Sequence, residues 1–286
     1  MPLNHPSRPT PFGIMQGRLV PPDGGRFQSF PRDRWRDEFS LAPLAGIQYV
    51  EWIYDAYGED INALSTAEGI AGLNRLKAKT GTATPAVCAD WFMDFPFVRC
   101  SATEREAREQ RLHEILPKAA QIGADHMIIP CVDASRIANE EEKQTIVEIM
   151  LAAAPVAQEA GVELHLETDL NPADFATLLD RMPHDFIKAN YDSGNSSGLG
   201  YIATEEFAAY GDRIGSIHIK DRYRKPGGGI ETRALGQGSA DLPMVFACMA
   251  RIGYDKGITL QVARGVEGDE VRWIREQLAY IHQYWR

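Results

Sequence analysis

Cysteine is scarce in this 286-residue chain. The four present, Cys88, Cys100, Cys131 and Cys248, are far apart and never in CxxC spacing. No zinc knuckle or disulfide framework follows from them, and reduced thiols in a cytoplasmic protein are the expectation. Long apolar runs are missing too. No stretch of 18 or more apolar residues occurs, so no membrane span is expected. The start, MPLNHPSRPT, lacks the basic-then-apolar order of a signal peptide. Positive charge is in deficit, with 30 Lys and Arg against 40 Asp and Glu, a net charge of −10 and a pI of about 5.2. Nucleic acid and anionic membrane are thereby excluded as main partners, because both need a basic face. A small phosphorylated ligand held by a few local Arg residues stays open.

What the chain does have is a rhythm of short apolar strand, polar loop and amphipathic helix. Strands are expected at residues 11–17, 49–54, 84–90, 126–133, 162–169, 187–194, 214–221 and 258–264. Helical patterns lie between them. Thr103, with Glu106 three positions on, is expected to cap one helix; Asn139 is expected to start another and Gly161 to end it. Gly follows several helices just before the next strand, where a left-handed cap costs little. Strands alternating with helices imply a parallel sheet with right-handed crossovers. Eight units without a composition break predict an α/β fold, a single-domain (β/α)8 TIM barrel over residues 11–286, behind a flexible N-terminal segment at 1–10. An open doubly wound sheet is weaker, since GRLVPPDGG after the first strand contains no GxGxxG.

A barrel builds its active site at the C-terminal strand ends. The polar residues there are Gln16, Glu51, Asp90, Asp133, Glu167, Asp192, His218 and Gln261. Turn chemistry accounts for Asp90 and Asp133 as well as a site does. Glu167, Asp192, His218 and Gln261 each follow an apolar strand. Buried carboxylates without a positive partner are costly, and a divalent cation removes that cost. Two carboxylates, one imidazole and one amide suit one Mn²⁺ or Mg²⁺ and tolerate Zn²⁺ or Co²⁺.

The segments GIMQGRL, YVEWIYD, HLETD, NYDSGN, GSIHIKDR and LGQGSADL resemble the xylose-isomerase-like barrel superfamily, most closely its sugar-phosphate isomerase and epimerase branch. The resemblance runs from about Gly13 to the last helix. It implies one divalent metal held by Glu, Asp, His and Glu from strands five to eight. Glu167, Asp192 and His218 agree; Gln261 stands where a second Glu is expected. An amide oxygen can ligate, but an amide cannot act as a general base. The resemblance makes Glu167 the base that forms a metal-stabilised enediolate. Lys220 shares parity with His218 and is a candidate second catalytic group; pairing with Asp192 or Glu51 would account for it equally. Gln16, Arg18, Glu51, Asp90 and Arg264 are candidate substrate contacts, the Arg residues for their bidentate reach. Arg222 reads more readily as a solvated surface residue. The Gly-rich stretch KPGGGIETRALGQG reads as a lid or a mobile loop.

The expected function is isomerisation or epimerisation of a small sugar, sugar phosphate or related hydroxy-carbonyl compound, with a homodimer as the default assembly. Two alternatives stand beside it. One is a dehydratase or lyase on the same metal site, favoured by the loss of the strand-eight glutamate. The other is a degenerate sugar-binding barrel. Abasic-site endonucleases share the fold, but the acidic balance and only seven His argue against that chemistry.

Overall fold

The computed structural model describes residues 10–285. The segment expected to be flexible, 1–10, therefore lies outside the described residues except for Thr10. Eight parallel strands close into a barrel. In chain order they are β1 (Phe12–Met15), β2 (Tyr49–Ile53), β3 (Ala86–Cys88), β4 (His126–Cys131), β5 (Glu163–Thr168), β6 (Ile187–Asp192), β7 (Ile214–Ile219) and β10 (Ile258–Leu260). The remaining two, β8 (Asp221–Arg224) and β9 (Ile230–Arg233), pair antiparallel outside the barrel. The Gly-rich stretch after β7 is thus a hairpin followed by a turn. The helices are α1 (Trp35–Ala45), α2 (Ala67–Thr80), α3 (Trp91–Asp94), α4 (Ala102–Gln121), α5 (Glu140–Ala160), α6 (Pro172–Asp180), α7 (Ser193–Leu199), α8 (Ala203–Tyr210), α9 (Leu242–Arg251) and α10 (Glu270–Ile281). Among the described residues, no helix is long and apolar enough to cross a membrane.

The local signals explain most boundaries. Asn139 accepts from Glu142 N at the start of α5, and Gly161, at φ 70°, ends it. The cap of α4 lies two residues earlier than the sequence suggested. Ser101, not Thr103, forms the capping box, with Glu104 as its partner; Thr103 is already in the helix. Both positions carry a hydroxyl followed three residues later by Glu, so the motif alone does not choose between them.

Strand alternation sorts the barrel residues into two sets. Leu164, Leu166, Tyr191, Ile217, Ile219, Ile258 and Leu260 join the buried apolar layer. A second set, which includes Tyr49, Glu51, His165, Glu167, Asn190, Asp192, Ser216, His218 and Thr259, meets in the barrel interior through mutual hydrogen bonds and ion pairs. Barrel interiors are usually filled by branched aliphatic residues. Here polar groups from β2, β5, β6, β7 and β10 line much of the axis, facing Met15, Cys88, Ile128 and Pro130 from β1, β3 and β4, and each polar group needs a partner.

Candidate metal centre

In-register pairing places Asp192 of β6 beside His218 of β7, and His218 beside Thr259 of β10. Glu167 enters from β5. The result is one cluster in which Glu167, Asp192 and His218 each offer a ligating atom, all within 4.8 Å of one another. His218 Nδ1 lies 3.6 Å from Glu167 Oε2 and 3.9 Å from Asp192 Oδ2. Atoms bound about 2.1 Å from one ion stand no more than about 4.2 Å apart. The cluster therefore needs only a small contraction to share a cation.

The arrangement of each ligand is fixed by neighbours. Asp192 Oδ1 accepts from Gly194 N and Asn195 N, both at 2.8 Å, and so caps α7. Its other oxygen, Oδ2, is buried with no hydrogen-bond partner. A buried carboxylate oxygen left bare is expensive, and this one belongs to the ligand cluster. Glu167 accepts from Asn195 Nδ2 at 2.5 Å and from Asn190 Nδ2 at 2.8 Å. His218 Nε2 lies 2.8 Å from Glu51 Oε1, both side chains fully buried. Glu51 Oε2 accepts from Thr259 Oγ1 at 2.9 Å, and Thr259 Oγ1 contacts Tyr49 Oη, also at 2.9 Å. A carboxylate on Nε2 holds the ring proton there and leaves Nδ1 turned to the other two ligands, the usual support for a metal-bound His. The residues present fit a divalent ion on two counts, the donor set and the bare Asp192 oxygen.

The electrostatics agree. Burial opposes a charge on His218, but Glu51, Glu167 and Asp192 outweigh it and raise the imidazole to about 9. Burial, reinforced by Asp192, pushes Glu167 up to about 7, with His218 and Lys220 pulling the other way. Burial also favours neutral Glu51, yet His218 holds it below its ordinary value. Without a metal, then, protons on this cluster balance its negative charge. Loading an ion must expel them, since ligands bind deprotonated.

Lys220 is the other cation at the site. Its Nζ donates to Gln261 Oε1 at 2.8 Å and Asn195 Oδ1 at 3.3 Å, and sits 3.6 Å from Asp192 Oδ2. Burial lowers its pKa, with Asp192 opposing. Gln261 follows the last residue of β10, but its N–H still donates to Ile219 O. Its amide oxygen faces Lys220, and its amide nitrogen donates to Gln28 Oε1. Gln28 in turn donates to Asp90 Oδ2 at 2.8 Å.

A cavity of about 170 Å³ opens above the cluster, lined by Gln28, Asp90, Asp133, Lys220, Arg222 and Gln261 among others. Of the expected substrate contacts, Asp90 lines it. Glu51 is committed to His218, and Gln16 Oε1 accepts from Ile53 N. Arg18 donates to Val262 O, Phe27 O and Gln28 Oε1. Arg264 donates to Phe27 O, Gly17 O and Val20 O. Both guanidiniums thus brace the loop after β1. Arg222, read from sequence as a surface residue, lines the cavity instead. Sequence reasoning missed Gln28, Asn190 and Asn195. Asn190 shares strand parity with Asp192, a signal that was available; Gln28 lies in an irregular loop and carried none.

Comparison with known proteins adds to this geometry. Residues 39–284 match the family model described as xylose isomerase-like TIM barrel. The protein provisionally named L-ribulose-5-phosphate 3-epimerase SgbU, from Escherichia coli strain K12, is 24% identical over 236 residues, which cover 77% of this chain and 80% of that protein. Among solved structures, the IOLI protein with a zinc atom shares 15% identity at a TM-score of 0.76, over 96% of this chain and 99% of that one. An L-ribulose 3-epimerase shares 14% identity at a TM-score of 0.74, over 96% and 94%. The two structural likenesses concern the fold alone.

Proposed function

The chain belongs to the xylose isomerase-like TIM barrel family, and from that premise we propose that it is a divalent-metal-dependent isomerase or epimerase of a small sugar or related hydroxy-carbonyl compound. The observation that carries the reading is the convergence of Glu167, Asp192 and His218, with the bare Asp192 oxygen among them. These three residues would hold the ion, with Gln261 as the fourth donor once its amide leaves Lys220. The oxygen-rich set favours Mn²⁺ or Mg²⁺; the zinc in the IOLI structure fits the same donors. A bound divalent ion supplies Lewis-acid polarisation of the substrate carbonyl and its neighbouring hydroxyl.

The chain's own groups do the proton work. Glu167, a carboxylate at the ion site that its ligand role keeps deprotonated, is the general base. It removes the proton from the carbon beside the carbonyl. Returned by Glu167 to the neighbouring carbon, with the hydroxyl proton passing to the former carbonyl oxygen, the proton gives an isomer. Supplied by Lys220 on the other face, it gives an epimer. Asn190 and Asn195 hold the Glu167 carboxylate in place through both steps. Gln261, an amide, contributes no proton. That supports the dehydratase alternative in one respect, since elimination needs no second base.

The test is proton exchange. Purified protein is loaded with Mn²⁺ and incubated with ketoses and aldoses in D₂O. Carbon-bound deuterium together with an isomeric sugar is expected, and Glu167→Gln should slow it by about 10²–10⁴-fold. Loss of water from the substrate would select the dehydratase reading. Absence of both exchange and tightly bound metal would remove the enzyme reading.

A further inference from the structure

An amide side chain has a donor end and an acceptor end, and its neighbours decide which way it turns. At the barrel mouth two amides are fixed from both sides. Arg18 can only donate, and its Nη2 lies 3.0 Å from Gln28 Oε1. Gln28 Nε2 is left to donate to Asp90 Oδ2 at 2.8 Å. Gln28 Oε1 also accepts from Gln261 Nε2 at 3.0 Å. The Gln261 oxygen is then left for Lys220 Nζ, again a donor only, at 2.8 Å. Turning either amide over would set donor against donor and acceptor against acceptor. Arg18, Gln28, Gln261 and Lys220 therefore form one chain of a single polarity.

The outer end of that chain is firmly anchored. Arg18 is buried, and it also donates to Val262 O, in the loop after β10, at 3.0 Å and to Phe27 O at 2.9 Å. Arg264 Nε donates to the same Phe27 carbonyl at 2.9 Å. Gln28 follows directly in sequence, so two guanidiniums set where its amide stands. The inner end is contested. Lys220 Nζ sits 3.6 Å from Asp192 Oδ2, beside the proposed ion site, and the Gln261 oxygen that serves the ammonium is the one that would serve an ion. Ammonium and metal ion carry charge of the same sign and repel. The oxygen serves one at the expense of the other, and the bond to Gln28 restrains the amide in the position that serves Lys220.

We propose that Gln28, oriented by Arg18, is a positioning residue that sets the balance of the Gln261 oxygen between Lys220 and the ion, in favour of Lys220. This rests on the proposed isomerase reading. There, Glu167 exchanges a proton and returns it on the same face, whereas inversion needs a proton from Lys220. Each inversion leaves Glu167 with a proton and Lys220 without one, and solvent restores both. Gln28 thereby tilts the partition toward inversion, at a cost in affinity for the ion.

The test is Gln28→Met, which keeps the length of the side chain and removes both polar ends. The other anchors of the loop, Arg18 on Val262 O and Arg264 on Gly17 O, remain. Two readouts should move in opposite directions. Mn²⁺ affinity, read by competition with a chelating dye, should rise by about 3–10-fold, the weight of one hydrogen bond that no longer competes with ligation. With Mn²⁺-loaded protein and ketoses in D₂O, epimer formed per deuterium incorporated should fall by a similar factor. That ratio is insensitive to how tightly the sugar binds. A residue that merely braced the mouth would lower affinity and exchange together and leave the ratio alone. The double variant Gln28→Glu with Asp90→Asn reverses donor and acceptor across one contact and keeps the oxygen that Arg18 and Gln261 need; it should return both readouts toward wild type. Opposed shifts sustain the proposal. Any other pattern, including a wild type that incorporates deuterium without epimerising, overturns it and leaves the isomerase reading standing. Absence of both exchange and tightly bound metal in the wild type overturns both.

Discussion

The two ends of the barrel are built from similar residues and behave oppositely. At the floor, a cavity of about 540 Å³ is lined by Tyr49, His126, Glu163, Ser216, Lys256 and Thr259. Its polar groups are paired. Glu163 Oε2 contacts His165 Nε2 and Lys256 Nζ, His165 Nδ1 meets Ser216 Oγ, and Ser216 Oγ donates to Asn190 Oδ1. At the mouth the cavity is about a third as large, yet Asp192 Oδ2 there accepts no hydrogen bond and meets only Lys220 Nζ at 3.6 Å and His218 Nδ1 at 3.9 Å. The direction of the charge shifts follows. At the floor, burial and His126 keep His165 neutral down to about 3, and Glu163, despite burial, is held at about 2 by His165 and Lys256. At the mouth, burial lifts Glu167 to about 7 and Glu38 to about 8. The mouth, rather than the larger cavity, is where buried carboxylates crowd one imidazole and one lysine.

The largest test of this contrast is Asp192→Asn. The amide keeps the oxygen that caps α7 and loses the bare anionic oxygen. Metal affinity, read by competition with a chelating dye, should fall by more than the about 10–100-fold that an outer partner costs. Unchanged affinity would place the ion elsewhere. Next is Glu51→Gln, which leaves all three ligands and removes the anion behind His218. The same assay should register a loss of about 10–100-fold.

Two further tests concern stability rather than metal affinity, and their pH effects have opposite signs. Glu38 has a folded pKa above its ordinary 4.5, so the folded state holds a proton that the unfolded state has released. Its contribution is fully present below about 4.5 and is lost as pH rises to about 8, at about 1.4 kcal/mol per unit. His165 has a folded pKa below its ordinary 6.5. Its contribution is present above about 6.5 and is lost as pH falls toward about 3, with the same slope. Denaturant stability across pH should therefore differ between wild type and Glu38→Gln mainly on the neutral side. For His165→Gln the difference should grow on the acid side. Parallel curves for either variant would break the contrast between the two ends.

Most of the frame was legible in the sequence because it rests on short-range rules. Period-two strands, glycines after helices and the Asn139 cap are local, and all recur in the structure. The cap of α4 slipped by two residues because two overlapping motifs satisfy the same rule. The ligand cluster was legible because strand order and parity bring Glu167, Asp192 and His218 to one place. The partners that tune it were less so. Asn190 reaches Glu167 across the β5–β6 pair and shares parity with Asp192, a signal that was readable, whereas Gln28 reaches Asp90 from a loop with no period. Arg18 and Arg264 looked like ligand-binding residues because composition cannot tell a guanidinium that meets substrate from one that stitches a loop. The hairpin of β8 and β9 was hidden by glycines that read as mobility.

The chain of contacts from Tyr49 through Thr259 and Glu51 to His218 means that the imidazole hangs from the floor of the barrel rather than from its rim. Rim loops can therefore be exchanged for others, by evolution or by design, without disturbing the part that orients the ring. Under the proposed function, a change of substrate would be written in cavity residues such as Gln28, Asp133 and Arg222, while Glu167, Asp192 and His218 kept their places.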